Sequence, residues 1–196
     1  MLYFTVISIA SLAITLGNFL ADGVYTAGAF FLLLACTLAG VAAVIAVDGL
    51  FAFIVRRLPE SWFAPEARLF TVSDREKKFY RRTRINVWKQ YVPEWGYFTG
   101  FHKDRVRDPS SSAYIGRFLL ESNYGVMGHI VGIFMGFAIA ALPFLRPLTM
   151  ALPIATVNAI LNLLPTLILR ANTPGLRAMY RRNLKRETRA KELTTV

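Results

Sequence analysis

Apolar and charged residues are separated into long blocks along this chain. Four stretches carry almost no charge, namely residues 2–21, 27–54, 119–144 and 148–169. Each is close to or above the length of about 20 apolar residues that a helix needs to cross a bilayer core. Only helices and closed barrels satisfy their backbone hydrogen bonds in lipid. The pattern therefore predicts an all-α integral membrane protein with four transmembrane helices.

Short polar turns join these helices in pairs. Ala-Asp-Gly at residues 21–23 connects the first two, and Leu-Arg-Pro at residues 145–147 connects the last two. Each pair is therefore expected to form an antiparallel hairpin. The predicted organisation is a transmembrane hairpin over 1–55, a cytoplasmic interfacial segment over 56–117, a second hairpin over 118–170 and a basic tail over 171–196.

The basic residues predict the orientation in the membrane. Of 23 Lys and Arg, 14 lie between Arg56 and Arg117 and 8 lie from Arg170 onward, which leaves only Arg146 elsewhere. Basic residues collect on the cytoplasmic side of membrane proteins. We therefore expect a multi-pass protein of the cytoplasmic (inner) membrane with both termini in the cytoplasm.

Composition excludes several other classes of protein. A hydrophobic fraction of 55% is unlike an ordinary soluble domain, and the net charge of +11 lies where membrane topology requires it. Because no base-reading motif accompanies that charge, we expect no nucleic-acid partner. One cysteine, Cys36, cannot form a disulfide within the chain, and two histidines are too few for a metal cluster. The sequence has no P-loop and no dinucleotide fingerprint, so we expect no bound cofactor.

The central segment mixes aromatic and basic residues, which is typical of the lipid headgroup layer. Ser73 and Glu76 have the spacing of a capping box, so a helix should begin there and run to about Tyr91, before Pro93. One apolar stripe would then comprise Phe79, Tyr80, Thr83, Val87, Trp88 and Tyr91. Such a helix is expected to lie flat on an anionic leaflet. Alternatively, its basic side chains could bind the phosphates of a nucleotide-like donor.

The third apolar stretch contains two titratable residues, Glu121 and His129. They lie about 80° apart around a helix and about 12 Å apart along it, so they could line one cavity but could not hydrogen-bond directly. A substrate or another helix could bridge them. An ionisable residue at membrane depth indicates a functional site, and histidine suits proton transfer. The alternative is that His129 makes a structural hydrogen bond to Asn158 or Asn162.

Other polar residues lie on the second and fourth stretches. Asn158 and Asn162 are one helical turn apart, where they could join helices or bind a polar headgroup. Asp48 lies about two turns inside Arg56, and we expect it to pair with Arg56 or Arg57.

A glycine ridge follows the third helix at Gly125, Gly128, Gly132 and Gly136. Small residues at this spacing favour close helix packing, within the chain or in a homo- or hetero-oligomer. A groove for an acyl chain is the functional alternative.

Several of these segments together resemble one known family over about residues 58–176. The matching elements are Leu58-Pro59 with Trp62-Phe63; Tyr80, Ile85, Trp88-Lys89, Pro93 and Gly96; Gly100-Phe101-His102-Lys103; Tyr114, Arg117-Phe118, Glu121 and His129; and Asn162, Pro165, Arg170 and Asn172. They resemble the family of the glycosyl-4,4'-diaponeurosporenoate acyltransferase of carotenoid biosynthesis, whose members are small integral membrane proteins.

The resemblance implies transfer of a fatty acyl group to a hydroxyl of a lipid-linked acceptor, which could carry a sugar, at the cytoplasmic leaflet. Acyl-CoA is the implied co-substrate, and membrane lipids are the surrounding partners. In that reading His129 is the general base and Glu121 orients or stabilises it. The implied substrate-binding residues are Lys103, Asn162, Arg170, Asn172, Trp88 and Lys89, with Arg170 and Lys103 on the anionic donor and the two asparagines on the oxyanion.

A non-enzymatic role is the rival hypothesis. A membrane scaffold for other envelope proteins would use the glycine ridge to pack a partner helix. The apolar fourth helix is expected to end on reaching Arg170 and Asn172 in either case.

Overall fold

The computed structural model describes residues 2–92 and 108–194, and every regular element in those ranges is a helix. The elements are α1 (Leu2–Asp22), α2 (Ala27–Arg56), α3 (Asp74–Arg82), α4 (Ile85–Trp88), α5 (Ser112–Met135) and α6 (Leu152–Thr194). Short 3₁₀ turns cover Glu60–Phe63, Arg68–Phe70, Lys89–Tyr91 and Gly136–Ala141, and a π-helical turn covers Pro147–Ala151.

Four helical segments in the described ranges are long and apolar enough to cross a membrane: Tyr3–Asp22, Ala27–Arg56, Ser112–Ala141 and Pro147–Leu193. The predicted all-α membrane fold is confirmed. By the density of internal contacts the chain divides into two compact units. The first unit is Met1–Arg56 with Gly128–Leu164, and the second unit is Arg57–Met127 with Pro165–Val196.

The first unit contains the α1–α2 hairpin and the ends of α5 and α6 nearest the Leu-Arg-Pro turn. Gly23 allows the first turn because its φ of 67° is left-handed. An apolar core forms from residues of several helices: Leu33, Val44, Ile139, Leu145, Met150, Ala151, Ile154 and Ala155. At the turns, the Arg146 guanidinium donates to both carboxylate oxygens of Asp22, at 2.6 and 2.7 Å.

The second unit shows that the basic tail is a continuation of α6. We expected the apolar helix to end at Arg170, but the helix runs on to Thr194 through Pro165 and Pro174. Contacts within the unit explain this. The Arg177 guanidinium donates to the Ala67 carbonyl at 2.8 Å, and the Asn183 amide donates to the Pro109 carbonyl at 2.8 Å.

The interfacial segment also differs from its predicted single helix. The cap is confirmed, since the Glu76 backbone N–H donates to Ser73 Oγ at 3.2 Å. However, α3 stops at Arg82, and Arg84 adopts a left-handed φ of 52° before α4 begins. The break turns Tyr80 and Ile85 into one buried cluster with Val72. The expected stripe is therefore divided, because Phe79, Val87 and Tyr91 are exposed while Tyr80 is buried.

Candidate active site

His129 of α5 is hydrogen-bonded to a polar group of α6 within the first unit. Its Nδ1 lies 2.9 Å from Asn162 Oδ1. Of the two predicted uses of His129, the hydrogen bond to Asn162 is thus present in the structure. A hydrogen bond of this kind also orients a catalytic imidazole, so the contact is compatible with both readings.

Asn162 connects His129 to a carboxylate on α2. Its Nδ2 donates to Asp48 Oδ2 at 2.8 Å and to the Asn158 backbone carbonyl at 3.1 Å. The Asn158 side chain donates to the other Asp48 oxygen at 3.3 Å. We had expected Asp48 near Arg56 or Arg57, and the structure instead shows it accepting from two asparagines. The result is a hydrogen-bonded chain from Asp48 through Asn162 to His129.

The same bonds change the expected role of Asn162. An asparagine side chain has two N–H donors and one carbonyl oxygen. Here the Nδ2 group faces Asp48 Oδ2 and the Asn158 carbonyl, and Oδ1 faces His129. The geometry therefore favours Asn162 as a support for His129 over its predicted use as a donor to an oxyanion.

Two members of the glycine ridge make room for this chain of side chains. A Cβ atom at Gly132 would lie 3.0 Å from Asp48 Oδ1 and 3.2 Å from Asn162 Oδ1, and one at Gly136 would lie 2.7 Å from Asn158 Nδ2. At Gly128 a Cβ would meet nothing within 4 Å. Gly132 and Gly136 are therefore packed against polar side chains, which is not what an apolar groove for an acyl chain requires.

Glu121 falls in the second unit, where it pairs with Arg117. Arg117 Nη2 lies 2.7 Å from Glu121 Oε1, and Arg117 Nη1 lies 3.5 Å from Glu60 Oε1. Arg117 and Glu60 line a groove of about 520 Å³ in this unit, together with Tyr180. The groove was not anticipated, because its walls come from segments far apart in sequence. The role of Glu121 as an aid to His129 stays a prediction.

Arg170 also belongs to the second unit, and it binds a carboxylate there. Its Nε and Nη2 donate to the two Glu76 oxygens at 2.5 and 2.8 Å. This guanidinium holds the pKa of the Glu76 carboxyl below its usual range, with a smaller contribution from the Tyr80 hydroxyl, which also donates to Glu76. Burial and the adjacent carboxylate in turn raise the pKa of Tyr80. Arg170 thus anchors α3 to α6, whereas its use on an anionic donor stays a prediction.

Lys89 and Asn172 are brought together in the same unit. The Lys89 ammonium donates to Asn172 Oδ1 at 3.1 Å. Beside it, the Trp88 indole N–H donates to the Thr83 carbonyl at 3.0 Å and its ring packs on the Tyr80 cluster. Trp88 therefore has a structural role at the break between α3 and α4. Lys89 is held by a neutral partner, so its positive charge is not cancelled by a carboxylate in this contact.

Two predicted features remain to be placed. Lys103 lies outside the described residues. Among residues 2–92 and 108–194, no group of three or more His, Cys, Asp or Glu could hold a metal ion.

Comparison with known proteins identifies the family of this chain. The family model described as glycosyl-4,4'-diaponeurosporenoate acyltransferase matches residues 59–182, which is more than half of the chain. No curated protein and no solved structure matches the chain. The matched range begins after the first hairpin, so it includes His129 and Asn162 but not Asp48.

Proposed function

The chain belongs to the glycosyl-4,4'-diaponeurosporenoate acyltransferase family, and from this premise we propose that it esterifies a lipid-linked hydroxyl with His129 as general base. The family is one of acyltransferases, and the four apolar helices make this member a membrane protein. The acceptor of the proposed reaction is a lipid-linked alcohol that can carry a sugar. The donor is a fatty acyl thioester of the acyl-CoA type.

The hydrogen bond between His129 Nδ1 and Asn162 Oδ1 carries the proposal. An ionisable side chain at membrane depth is costly and is generally retained for function. A polar partner on one ring nitrogen holds the imidazole in one orientation. The second ring nitrogen can then exchange a proton with a substrate.

The proposed reaction is a single acyl transfer. His129 removes the proton of the acceptor hydroxyl while that oxygen attacks the thioester carbonyl carbon. The tetrahedral intermediate collapses with cleavage of the carbon–sulfur bond. The imidazolium then returns its proton to the departing thiolate. The products are an oxygen ester and a free thiol, so the proton is conserved and no oxidant or metal is required.

Lys89 supports an anionic donor. Its ammonium group is oriented by Asn172 at 3.1 Å, and a lysine suits phosphate binding as a point charge. Arg170 is assigned a structural role in this proposal because both oxygens of Glu76 already face it. Lys103 is retained as a second donor-binding residue on the family resemblance alone.

The reaction is proposed to take place at the cytoplasmic leaflet of the cytoplasmic membrane. In this orientation 22 of the 23 Lys and Arg residues lie on the cytoplasmic side, as basic residues usually do. Both termini are then cytoplasmic. An acyl-CoA donor is water-soluble at its polar end, which suits delivery from that side.

The test is acyl transfer by the purified, reconstituted protein. Wild type, His129→Gln and His102→Gln are incubated with labelled acyl-CoA and a lipid extract of the native membrane, and products are identified by mass spectrometry. Loss of a general base lowers the rate by about 10²- to 10⁴-fold, so His129→Gln should make almost no product. The matched control, His102→Gln, changes the only other histidine and should retain activity.

Either of two outcomes would contradict the proposal. One is a folded wild-type protein that neither acylates a lipid nor consumes acyl-CoA, which would favour the scaffold hypothesis. The other is a His129→Gln variant with the wild-type rate, which would leave the family activity but remove His129 from the mechanism.

A further inference from the structure

Asp48 is the member of the hydrogen-bonded chain that lies outside the family match. It belongs to α2, before the matched residues 59–182, and is 114 residues from Asn162 in sequence. Its carboxylate accepts from Asn162 at 2.8 Å and from Asn158 at 3.3 Å. Two amide donors therefore converge on the two oxygens of one acceptor group.

This carboxylate determines which way the Asn162 amide faces. A carboxylate can only accept, so the NH₂ end of the amide points to Asp48 and the carbonyl end points to His129. Asn162 Oδ1 lies 2.9 Å from His129 Nδ1. Because Oδ1 is an acceptor, the hydrogen of the neutral imidazole must be on Nδ1. The lone pair is then on Nε2.

We propose that Asp48 is a positioning residue, which acts through Asn162 to hold His129 in the tautomer that is protonated at Nδ1 and basic at Nε2. The catalytic part of this inference rests on the function proposed above. The hydrogen-bonded series Asp48–Asn162–His129 resembles a catalytic triad, in which a buried carboxylate orients the imidazole. Here an asparagine amide lies between the carboxylate and the imidazole. The carboxylate also favours the imidazolium that forms when Nε2 takes the acceptor proton.

The packing around Asp48 agrees with this role. Gly132 of α5 allows Asp48 and Asn162 to approach, since a Cβ there would lie 3.0 and 3.2 Å from their oxygens. Gly136 does the same for Asn158 at 2.7 Å. The two glycines therefore leave room for Asp48 of α2 to reach the asparagines of α6.

The tautomer can be measured directly because the chain has only two histidines. In full-length protein labelled with ¹⁵N-histidine, His102→Gln leaves one imidazole whose two nitrogen shifts report the tautomer. We expect the Nδ1–H form in this background. Asp48→Asn should shift the population towards Nε2–H, because a neutral amide no longer selects one orientation of Asn162. The matched control is Asp22→Asn, which removes a carboxylate of the same unit that binds Arg146. This control should leave the tautomer of His129 unchanged.

Moving the negative charge from position 48 to position 162 distinguishes an electrostatic effect on His129 from an effect of packing. Asp48→Asn alone keeps the side-chain size and should lower kcat by about 10- to 100-fold, which is the effect of losing the outer-shell partner of a metal-binding histidine. The KM for the acceptor should change little. The double variant Asp48→Asn with Asn162→Asp moves the carboxylate one step nearer to His129. It should recover most of the lost kcat.

The inference is overturned if His129 is found as the Nε2–H tautomer or as an imidazolium, or if Asp48→Asn leaves both the tautomer and kcat unchanged. Failure of the proposed function is a separate result. A wild-type protein without acyl transfer would refute the reaction, while the nitrogen shifts would still decide whether Asp48 sets the tautomer.

Discussion

Gly132→Ala is a sharp test of the site because Gly128 provides a matched control on the same helix. Both are interior residues of α5, one turn apart. A Cβ at Gly132 would lie 3.0 Å from Asp48 Oδ1 and 3.3 Å from Asn162 Cγ, whereas a Cβ at Gly128 would meet nothing within 4 Å. The two substitutions therefore add the same methyl group, but only Gly132→Ala displaces Asp48 and Asn162, the side chains that support His129.

The expected magnitudes follow from two opposing effects. Alanine is about 1 kcal/mol more favourable than glycine inside a helix, which applies at both positions. Overpacking costs about 1–3 kcal/mol, which applies only at Gly132. Gly128→Ala should thus stabilise the protein by up to about 1 kcal/mol. Gly132→Ala should range from neutral to about 2 kcal/mol less stable.

The effect on catalysis should be clearer than the effect on stability. Relief of a 3.0 Å contact needs a shift of a few tenths of an ångström in Asp48 or Asn162. A misplacement of about 1 Å can cost about 100-fold in rate, so a shift of this size predicts a loss of roughly 3- to 10-fold.

The assay is the initial rate of acyl transfer per folded protein, together with the midpoint of thermal inactivation in the same lipid. Equal rates and equal midpoints for Gly132→Ala and Gly128→Ala would refute the packing argument. They would mean that Asp48 and Asn162 can be displaced without consequence, and the positioning role of Asp48 would fail with it.

Three further predictions concern the second unit. Arg170→Ala should lower the free energy of local unfolding of α3 by about 2 kcal/mol. This value lies between those for exposed and buried ion pairs, because the Arg170 and Glu76 side chains are both about one-fifth exposed. Faster hydrogen exchange of Asp74–Arg82 is the expected result, and unchanged exchange would contradict it. Because the pKa of Glu76 is lowered, the pair stabilises the protein above the ordinary carboxyl pKa. Protection of α3 should therefore be constant at neutral pH and fall as the pH drops through that lowered pKa, whereas loss already near pH 6 would point to another group. Lys89→Gln should raise KM for acyl-CoA about tenfold with kcat preserved. The control Lys77→Gln should leave KM unchanged. Equal effects of the two substitutions would mean that the donor responds to the overall positive charge and not to Lys89.

Hydrophobic patterning predicted the membrane fold because crossing a bilayer is a local property. A run of about 20 apolar residues is sufficient for a spanning helix whatever it packs against. The four spans, the short turn at Gly23 and the cap at Ser73 each depend on residues close in sequence. The family resemblance also depends on short motifs, which lie between Leu58 and Asn172. The match over residues 59–182 confirms it.

Helix boundaries were predicted less well where packing competes with local preference. The predicted apolar stripe continues from Tyr80 through Thr83 to Val87, so it gives no sign of the break between α3 and α4. The break is stabilised by burial of Tyr80 and Ile85, which is a property of the folded unit. Likewise Arg170 marks a change from apolar to basic composition, but α6 continues because its later residues pack within the second unit.

His129 could be chosen from sequence as the candidate base, since an ionisable residue in an apolar helix is conspicuous by itself. Its support could not be chosen in the same way. Asp48 and Asn162 are 114 residues apart, and their contact depends on the rotation and register of two helices. Periodicity along one helix does not specify those quantities. They are set when Gly132 and Gly136 allow polar side chains of α2 and α6 to meet beside α5. The sequence alone therefore predicted the membrane fold, the family and His129 as the candidate base. Packing between helices that are far apart in sequence determined the hydrogen-bond partners of His129.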